Sequence, residues 1–443
     1  MENITSFKAE NIRDVIRYLQ KFQKAVVVIY LDEETIESPL FSSHIRDIAF
    51  LHDAGLKVVI IPGTRRRIDE ILSNSGLKWE YHNHIRVTAP EAMPLIKMAA
   101  FDVSNSIMTS LAANNITAVI GNWVRARGKG IIDGIDYNTA GEIEKLERDS
   151  IKSVLDNGFI PIFPCIGWTA VGHPYNISSI ELSQQVAISL GADKLFFVME
   201  NGDINASKYT IPEGFSLSEK GEVPAMNLEE VDQFIAENKG NSADTNKRMA
   251  DLLRIAQTAC SKGVTRTHIV DGKLEGVLLC EIFSDLGSGT MVYTSNYGRT
   301  RPMEQNDIPA VLSIMAPFIK SGKLLPRTED DLRDNLEEYL VYEMDGGVHG
   351  CSALHTYSDG QVEIAAVAVD ENYGHMGIGP KMLDAQIARA NAMNAKSIFI
   401  MTTQASDWFE RMNFKQDTVE SLPPERRAIW TPQRNSRVYR YSK

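Results

Sequence analysis

The run Glu363 to Gly379, EIAAVAVDENYGHMGIG, holds the residue types best suited to chemistry in this 443-residue chain. A carboxylate, Glu363, sits at the head of an apolar Ala/Val segment, where desolvation would suit it to proton transfer. Gly374, Gly377 and Gly379 follow, immediately before Pro380-Lys381-Met382-Leu383 begins an apolar-periodic helix. Backbone without side chains at a helix start leaves several N–H groups and the helix dipole aimed at one spot, and a pyrophosphate fits there. On motif grammar alone the glycine loop is equally a plain turn, and Glu363 equally an exposed strand-end charge. Two other clusters invite chemistry. His82 and His84, one residue apart, suggest a metal, but no third ligand is apparent and no metal is expected. Arg65-Arg66-Arg67 is an isolated basic cluster in a chain of net charge −12 and pI near 5.4, which argues against a nucleic-acid partner.

The elements that must position these residues are legible in the pattern. Period-two alternation puts Glu363, Ala365, Val367 and Val369 on one face of a strand and Ile364, Ala366 and Ala368 on the other, and two apolar faces mark a central strand. Asp370 to Tyr373 ends it. The preceding segment HGCSALHTYSDG makes a hairpin with it, turning at Ser358-Asp359-Gly360. A new pattern opens at Arg301-Pro302, after the polar stretch 293–298: strand, two helices, hairpin, loop and helix, then a strand at Ser397–Thr402 and a helix at Ala405–Met412. Upstream, from Ala25 to about Thr290, strands and helices alternate as in a mostly parallel, covered sheet. Ahead of it, Ile12, Val15, Ile16, Leu19 and Phe22 form one helical stripe that must find a partner, on its own domain or on another subunit. The length implies two or three domains. Four cysteines without a C-x-x-C pair fit a cytosolic chain without disulfides or zinc, and no apolar run approaches a membrane span.

The strand, turn and glycine loop resemble the acetyl-CoA site of the GCN5-related N-acetyltransferases (GNAT), a V-x-V strand followed by Q/R-x-x-G-x-G/A opening a helix. Gly374 stands at the Gln/Arg position, so one side-chain contact of that pattern is missing. The resemblance implies that acetyl-CoA is held by Val367, Ala368, Val369, Gly374, His375, Met376, Gly377 and Gly379, and it favours Glu363 as the base, with His349 and His355 as second choices. Phe409 occupies the place where many such enzymes carry a tyrosine acid. Thr402 and Thr403 are the nearby hydroxyls.

Residues 25–294 resemble the amino-acid kinase fold, in its N-acetylglutamate kinase branch, through KVVIIPGTRRRIDEIL, NHIRVT, YNISSIELSQQVA and HIVDGKLEGVLLCEIFSDLGSGT. By that resemblance Arg86 and Asn176 lie at the acetylglutamate pocket and His82 and His84 on a strand beside it. Kinase chemistry is excluded on charge: Tyr30-Leu31-Asp32-Glu33 replaces the Lys-x-Gly-Gly phosphate loop with two carboxylates that repel ATP. Ile180 stands for the catalytic aspartate, and no lysine falls at the matching place around Asp251. Tyr18, His268, Glu281, Gly287 and Gly289 match the signature of arginine-sensitive members, in which a carboxylate and a tyrosine hold the guanidinium.

Together the halves resemble the bacterial N-acetylglutamate synthase family. The fold class expected is α/β: an N-terminal amino-acid-kinase-like open, mostly parallel sheet with helices on both faces, then a C-terminal α/β GNAT domain. The expected divisions are a leading helix over 1–24 for oligomerisation or effector response, a kinase-inactive regulatory domain over 25–294 and an acetyltransferase over 298–443. The family implies transfer of acetyl from acetyl-CoA to the α-amine of L-glutamate, the first step toward arginine. It implies Arg327 and Arg434 on the substrate carboxylates, L-arginine as effector, and a cytoplasmic homo-oligomer, possibly a hexamer, with no membrane partner. Two other readings remain at this point: an amino-acid sensor with a degenerate transferase domain, and acetylation of a different amine.

Overall fold

The computed structural model describes residues 22–82, 84–215, 217–218, 220–239, 244–283, 288–294, 298–344, 347–431 and 436–442. Tyr18, Gly287 and Arg434 lie outside them, as do the side chains of His375 and Met376. The chain divides into two compact units, Met1–Ser295 and Asn296–Lys443.

In the first unit eight strands form one sheet: β1 (Val26–Leu31), β2 (Lys57–Pro62), β3 (Ala118–Ile120), β4 (Ile160–Ile162), β5 (Lys194–Met199), β6 (Ala225–Asn227), β7 (Arg266–Asp271) and β8 (Thr290–Tyr293). Their spatial order is β6-β8-β7-β5-β1-β2-β4-β3, and every step is parallel except β7–β8. Both faces are covered. Val28, Tyr30, Val59 and Ile61 belong to one apolar layer and Val27, Ile29, Val58 and Ile60 to the other, which is why β1 and β2 read as continuous apolar runs. The helices α1 (Ser179–Leu190) and α2 (Asp244–Ser261) pack in the first layer through Leu182, Val186, Leu253 and Ala256. The Ser178 hydroxyl accepts from the Glu181 amide and so caps α1.

The second unit is a seven-stranded sheet, β9 (Gly298–Pro302), β10 (Tyr339–Met344), β11 (Gly347–Thr356), β12 (Gln361–Val369), β13 (Ser397–Thr402), β14 (Phe414–Asp417) and β15 (Arg437–Tyr441), in the order β9-β10-β11-β12-β13-β15-β14. Only β12–β13 is parallel. The helix α3 (Ile308–Lys320) covers one face through Val311 and Met315, and α4 (Ile378–Ala392) covers the other through Leu383, Ile387 and Ala390.

The expected alternation along β12 holds only to Ala365. Val362 and Ile364 pack toward α4, but so does Val367, while Ala366 and Ala368 pack toward α3. Between Ala365 and Ala368 the strand advances three residues while its partner β11 advances two, from Ala353 back to Cys351. One extra residue is therefore inserted, and Ala366 takes it up at φ +50°, in the left-handed region. That β-bulge turns the strand over, and an alanine gives no sequence sign of it.

Candidate active site

Glu363 stands where the sheet of the second unit splits. The parallel register of β12 against β13 runs from Gln361–Ser397 to Glu363–Phe399 and goes no further, although both strands continue. Beyond Glu363, β13 pairs on its far side with β15, and among the described residues no strand pairs with the facing edge of β12, which is open. An open strand edge presents backbone N–H and C=O groups in a row, and an extended molecule with amide groups can add to it as a strand would. From Ile364 to Val369 that edge is on the order of 20 Å long.

The far end of the edge leads into the glycine loop. Glu371–Met376 forms a 3-10 turn, and α4 begins after Gly377, whose φ of +64° demands a residue without a Cβ. The N-cap of α4 is Gly377, which has no side chain to occupy the first N–H groups of the helix. At Gly379 a Cβ would lie 3.2 Å from the Trp408 ring, so the helix start is packed closely against its neighbour; Gly374 is exposed with open space around it. The fold thus sets a carboxylate at the head of an open strand edge, and the same strand leads on to a glycine at a helix start.

Glu363 is 4% exposed. Its Oε2 accepts from the Tyr357 hydroxyl at 2.6 Å and from Arg426 Nε at 2.7 Å, and its Oε1 accepts from Arg426 Nη2 at 3.2 Å. Arg426 is half-buried against Glu363, because the short helix α5 (Pro424–Ala428) brings it over the strand end. Arg427 is exposed. Burial and the Glu363 carboxylate push the Tyr357 phenol up, so it remains a donor. Sequence reasoning passed over Tyr357 and Arg426 because only tertiary folding joins them to Glu363.

His355 is directly opposite Glu363 on β11, and its Nδ1 lies 2.6 Å from Glu338 Oε2. His349 packs against Tyr373 with the rings tilted by 36° and their centroids 3.8 Å apart. Phe409 is a core residue, and the Thr402 hydroxyl accepts from the Gln404 and Ala405 amides. Arg327 is half-buried beside Tyr339, with Nη1 donating to the Pro326 carbonyl. Tyr339 leads across the sheet through Ala353 to Ala365, two residues from Glu363.

In the first unit the space beside Gly63 is filled by side chains. A Cβ on Gly63 would lie 2.6 Å from Glu33 Oε2 and 2.9 Å from the Tyr30 hydroxyl, so these groups fill the space beside the second loop. Asp32, 1% exposed, accepts from Arg248 Nη2 at 3.0 and 2.9 Å. Burial, then Glu33, pushes the Asp32 carboxyl well up, against the pull of Arg248. The oxygens of Asp32, Glu33 and Glu34 lie within 4.8 Å of one another, and Arg248 is the cation the fold sets among them. A cavity of about 680 Å³ adjoins this cluster and includes Arg86 and Asn176 in its lining. Arg86 is held by Asp69, at 3.0 Å from Nε and 2.9 Å from Nη2. His82 and His84 face different carboxylates, Glu80 at 3.2 Å and Asp251 at 3.9 Å.

Of the expected effector residues, the structure joins His268, Glu281 and Gly289. His268 Nδ1 is 2.7 Å from Glu281 Oε1, and Glu281 Oε2 accepts from the amides of Ser288 at 2.6 Å and Gly289 at 3.0 Å. His268 stacks on Phe196, and burial holds its imidazole down to about 4. For Glu281, burial pulls upward, but the His268 and Ser288 bonds win and leave the carboxyl below its ordinary value. Both Glu281 oxygens are thus occupied by the protein's own donors.

Residues 26–271 match the amino acid kinase family and residues 335–416 the acetyltransferase (GNAT) domain. The amino-acid acetyltransferase of Vibrio vulnificus is 30% identical over 440 residues, 97% of each chain, and that of Mannheimia succiniciproducens 31% identical over 428 residues, 95% of this chain and 94% of its own. N-acetylglutamate synthase from Neisseria gonorrhoeae, 26% identical, has been solved with coenzyme A and L-arginine, with a TM-score of 0.77 and 98% of each chain covered. The same protein with coenzyme A and N-acetyl-glutamate gives a TM-score of 0.60, covering 98% of this chain and 99% of its own. On its sequence, its two folds and its relatives, the chain belongs to the amino-acid acetyltransferases, the N-acetylglutamate synthase family in which an amino acid kinase fold precedes a GNAT domain.

Proposed function

We propose that this enzyme moves acetyl from acetyl-CoA to the α-amine of L-glutamate with Glu363 as the base, and that L-arginine acts on the first unit. The single observation that carries the catalytic reading is the end of β12–β13 pairing at Glu363, which sets a buried carboxylate at the head of an open strand edge. The pantetheine amides pair along Ile364–Val369, and the pyrophosphate takes the first N–H groups of α4 around Gly377 and Gly379. The thioester then falls beside Glu363. The α-amine of glutamate is an ammonium near neutral pH and must lose a proton before it attacks. Glu363 Oε1, the less engaged oxygen, takes it directly or through water, while Arg426 and Tyr357 hold the carboxylate in place. Arg327 and Arg434 supply guanidinium forks for the substrate carboxylates.

Arginine binding at Tyr18, His268, Glu281, Gly287 and Gly289 is supported by the clustering of His268, Glu281 and Gly289 around one buried carboxylate. For Glu281 to take a guanidinium, it must give up the Ser288 and Gly289 amides, a rearrangement through which an effector could act at a distance. We place the domain divisions at 1–24, 25–294 and 298–443, with the apolar stripe of the leading segment as a contact in a homo-oligomer, possibly a hexamer. A cytoplasmic location agrees with Cys165, Cys260 and Cys351 being free and with the described residues containing no helix long and apolar enough to cross a membrane. Thiol release from acetyl-CoA should be fast with L-glutamate, slow with other amino acids and altered by arginine. Equal rates with unrelated amines, or none with glutamate, would overturn the reading.

A further inference from the structure

Acetyl transfer to an ammonium releases a proton on every turnover. The C–N bond forms, the C–S bond breaks, and the nitrogen gives up two protons, of which the departing thiolate keeps one. The other must reach solvent. Glu363 cannot deliver it alone, being 4% exposed with Oε2 bound by Tyr357 and Arg426.

The neighbouring strand offers an exit. His355 is the direct cross-strand partner of Glu363. Their side chains share a face, since Leu354, Val362 and Ile364 all pack to the opposite side, toward α4. Directly opposed Cβ atoms lie about 4.5–5.5 Å apart, within reach of a hydrogen bond or one bridging water. His355 Nδ1 is engaged by Glu338 Oε2 at 2.6 Å, which leaves Nε2 to exchange. The His355 and Glu338 side chains are 25% and 34% exposed, so the dyad runs from the buried base to the surface. The other charged or titratable groups around it are Tyr357 and Arg426 on the Glu363 side, Arg389 of α4, which donates to the Glu337 and Glu338 carbonyls, and Arg327 beside Tyr339.

We propose that Glu338 and His355 form the relay that carries the released proton from Glu363 to solvent. The inference rests on Glu363 being the base. The amine proton passes to Glu363 Oε1 and then to His355 Nε2, while Nδ1 hands its own proton to Glu338, which loses it to water. His355 and Glu338 act through Glu363 and are positioning residues. A purely structural bracket, pinning Glu338 to β11, is the competing role.

The test uses the full-length enzyme with acetyl-CoA and L-glutamate. His355→Gln should lower kcat by about tenfold or more at low buffer concentration, with both KM values within about twofold, and added imidazole should restore the rate. Glu338→Gln should show a smaller loss with the same buffer response. A folded His355→Gln enzyme with wild-type kcat, or with a loss that imidazole leaves untouched, overturns the relay. Should His355→Gln fail to fold, Glu338→Gln decides: wild-type kcat without buffer dependence rejects it. Wild-type enzyme inert toward glutamate rejects the parent reading and the relay together, and is seen before any variant is made.

Discussion

At the scale of single residues the chemistry rests on which partners a buried charge has been given. Glu363 has Arg426 and Tyr357, and Arg426→Ala leaves a carboxylate buried without its cation, a change that generally costs several kcal/mol. Because the Arg426 side chain is itself 16% exposed, water will screen part of that loss, and about 2 kcal/mol is expected in chemical denaturation together with a fall in kcat. A variant as stable and as active as the parent would mean that Arg426 does not hold Glu363. His268 gives a pH signature of a different kind. Its folded value of about 4 is below the unfolded 6.5, so the unfolded chain takes up a proton that the folded chain refuses. Stability is therefore complete above pH 6.5 and is lost as pH falls toward 4, by roughly 3 kcal/mol over the window. His268→Gln, which keeps an N–H for Glu281, should flatten that slope in denaturation curves taken from pH 7 to 4. An unchanged slope would assign the acid sensitivity to other groups.

At the scale of elements, the tight steps are a bulge and a helix start. Gly377 at φ +64° aims the first amides of α4. Gly377→Ala should cost about 1–2 kcal/mol in stability and weaken acetyl-CoA binding several-fold in calorimetry, while Gly374→Ala, in open space, should do neither. The glycine loop and the strand before it were legible in sequence because glycine at a helix start and apolar alternation are local signals. The bulge at Ala366 was not, since its cause is the closure of β12 against β11, and an alanine tolerates the strain silently. The Arg426–Glu363 pair was hidden for a related reason: 63 residues separate the partners, and nothing in PERRA distinguishes a buried arginine from a solvated one. The dyad of His355 and Glu338 likewise follows from register, which periodicity alone does not set.

At the scale of the molecule, the amino acid kinase fold carries a cavity beside which carboxylates and a tyrosine fill the space next to Gly63. In the sequence, Asp32 and Glu33 are expected to repel ATP; Arg248, which pairs with Asp32 from α2, carries no local sign of that role. The pure enzyme should accordingly neither bind ATP in calorimetry nor phosphorylate acetylglutamate, and detectable phosphorylation would contradict this. The second unit contains the open edge, the glycine loop and Glu363 within 296–443. The account stands most directly on Glu363→Gln, which keeps the size of the side chain and removes its basicity. With saturating glutamate and acetyl-CoA, thiol release should fall by about 100-fold or more while acetyl-CoA affinity stays within a few-fold of the parent. A rate within a few-fold of the parent would show that the carboxylate at the split of the sheet is not the base.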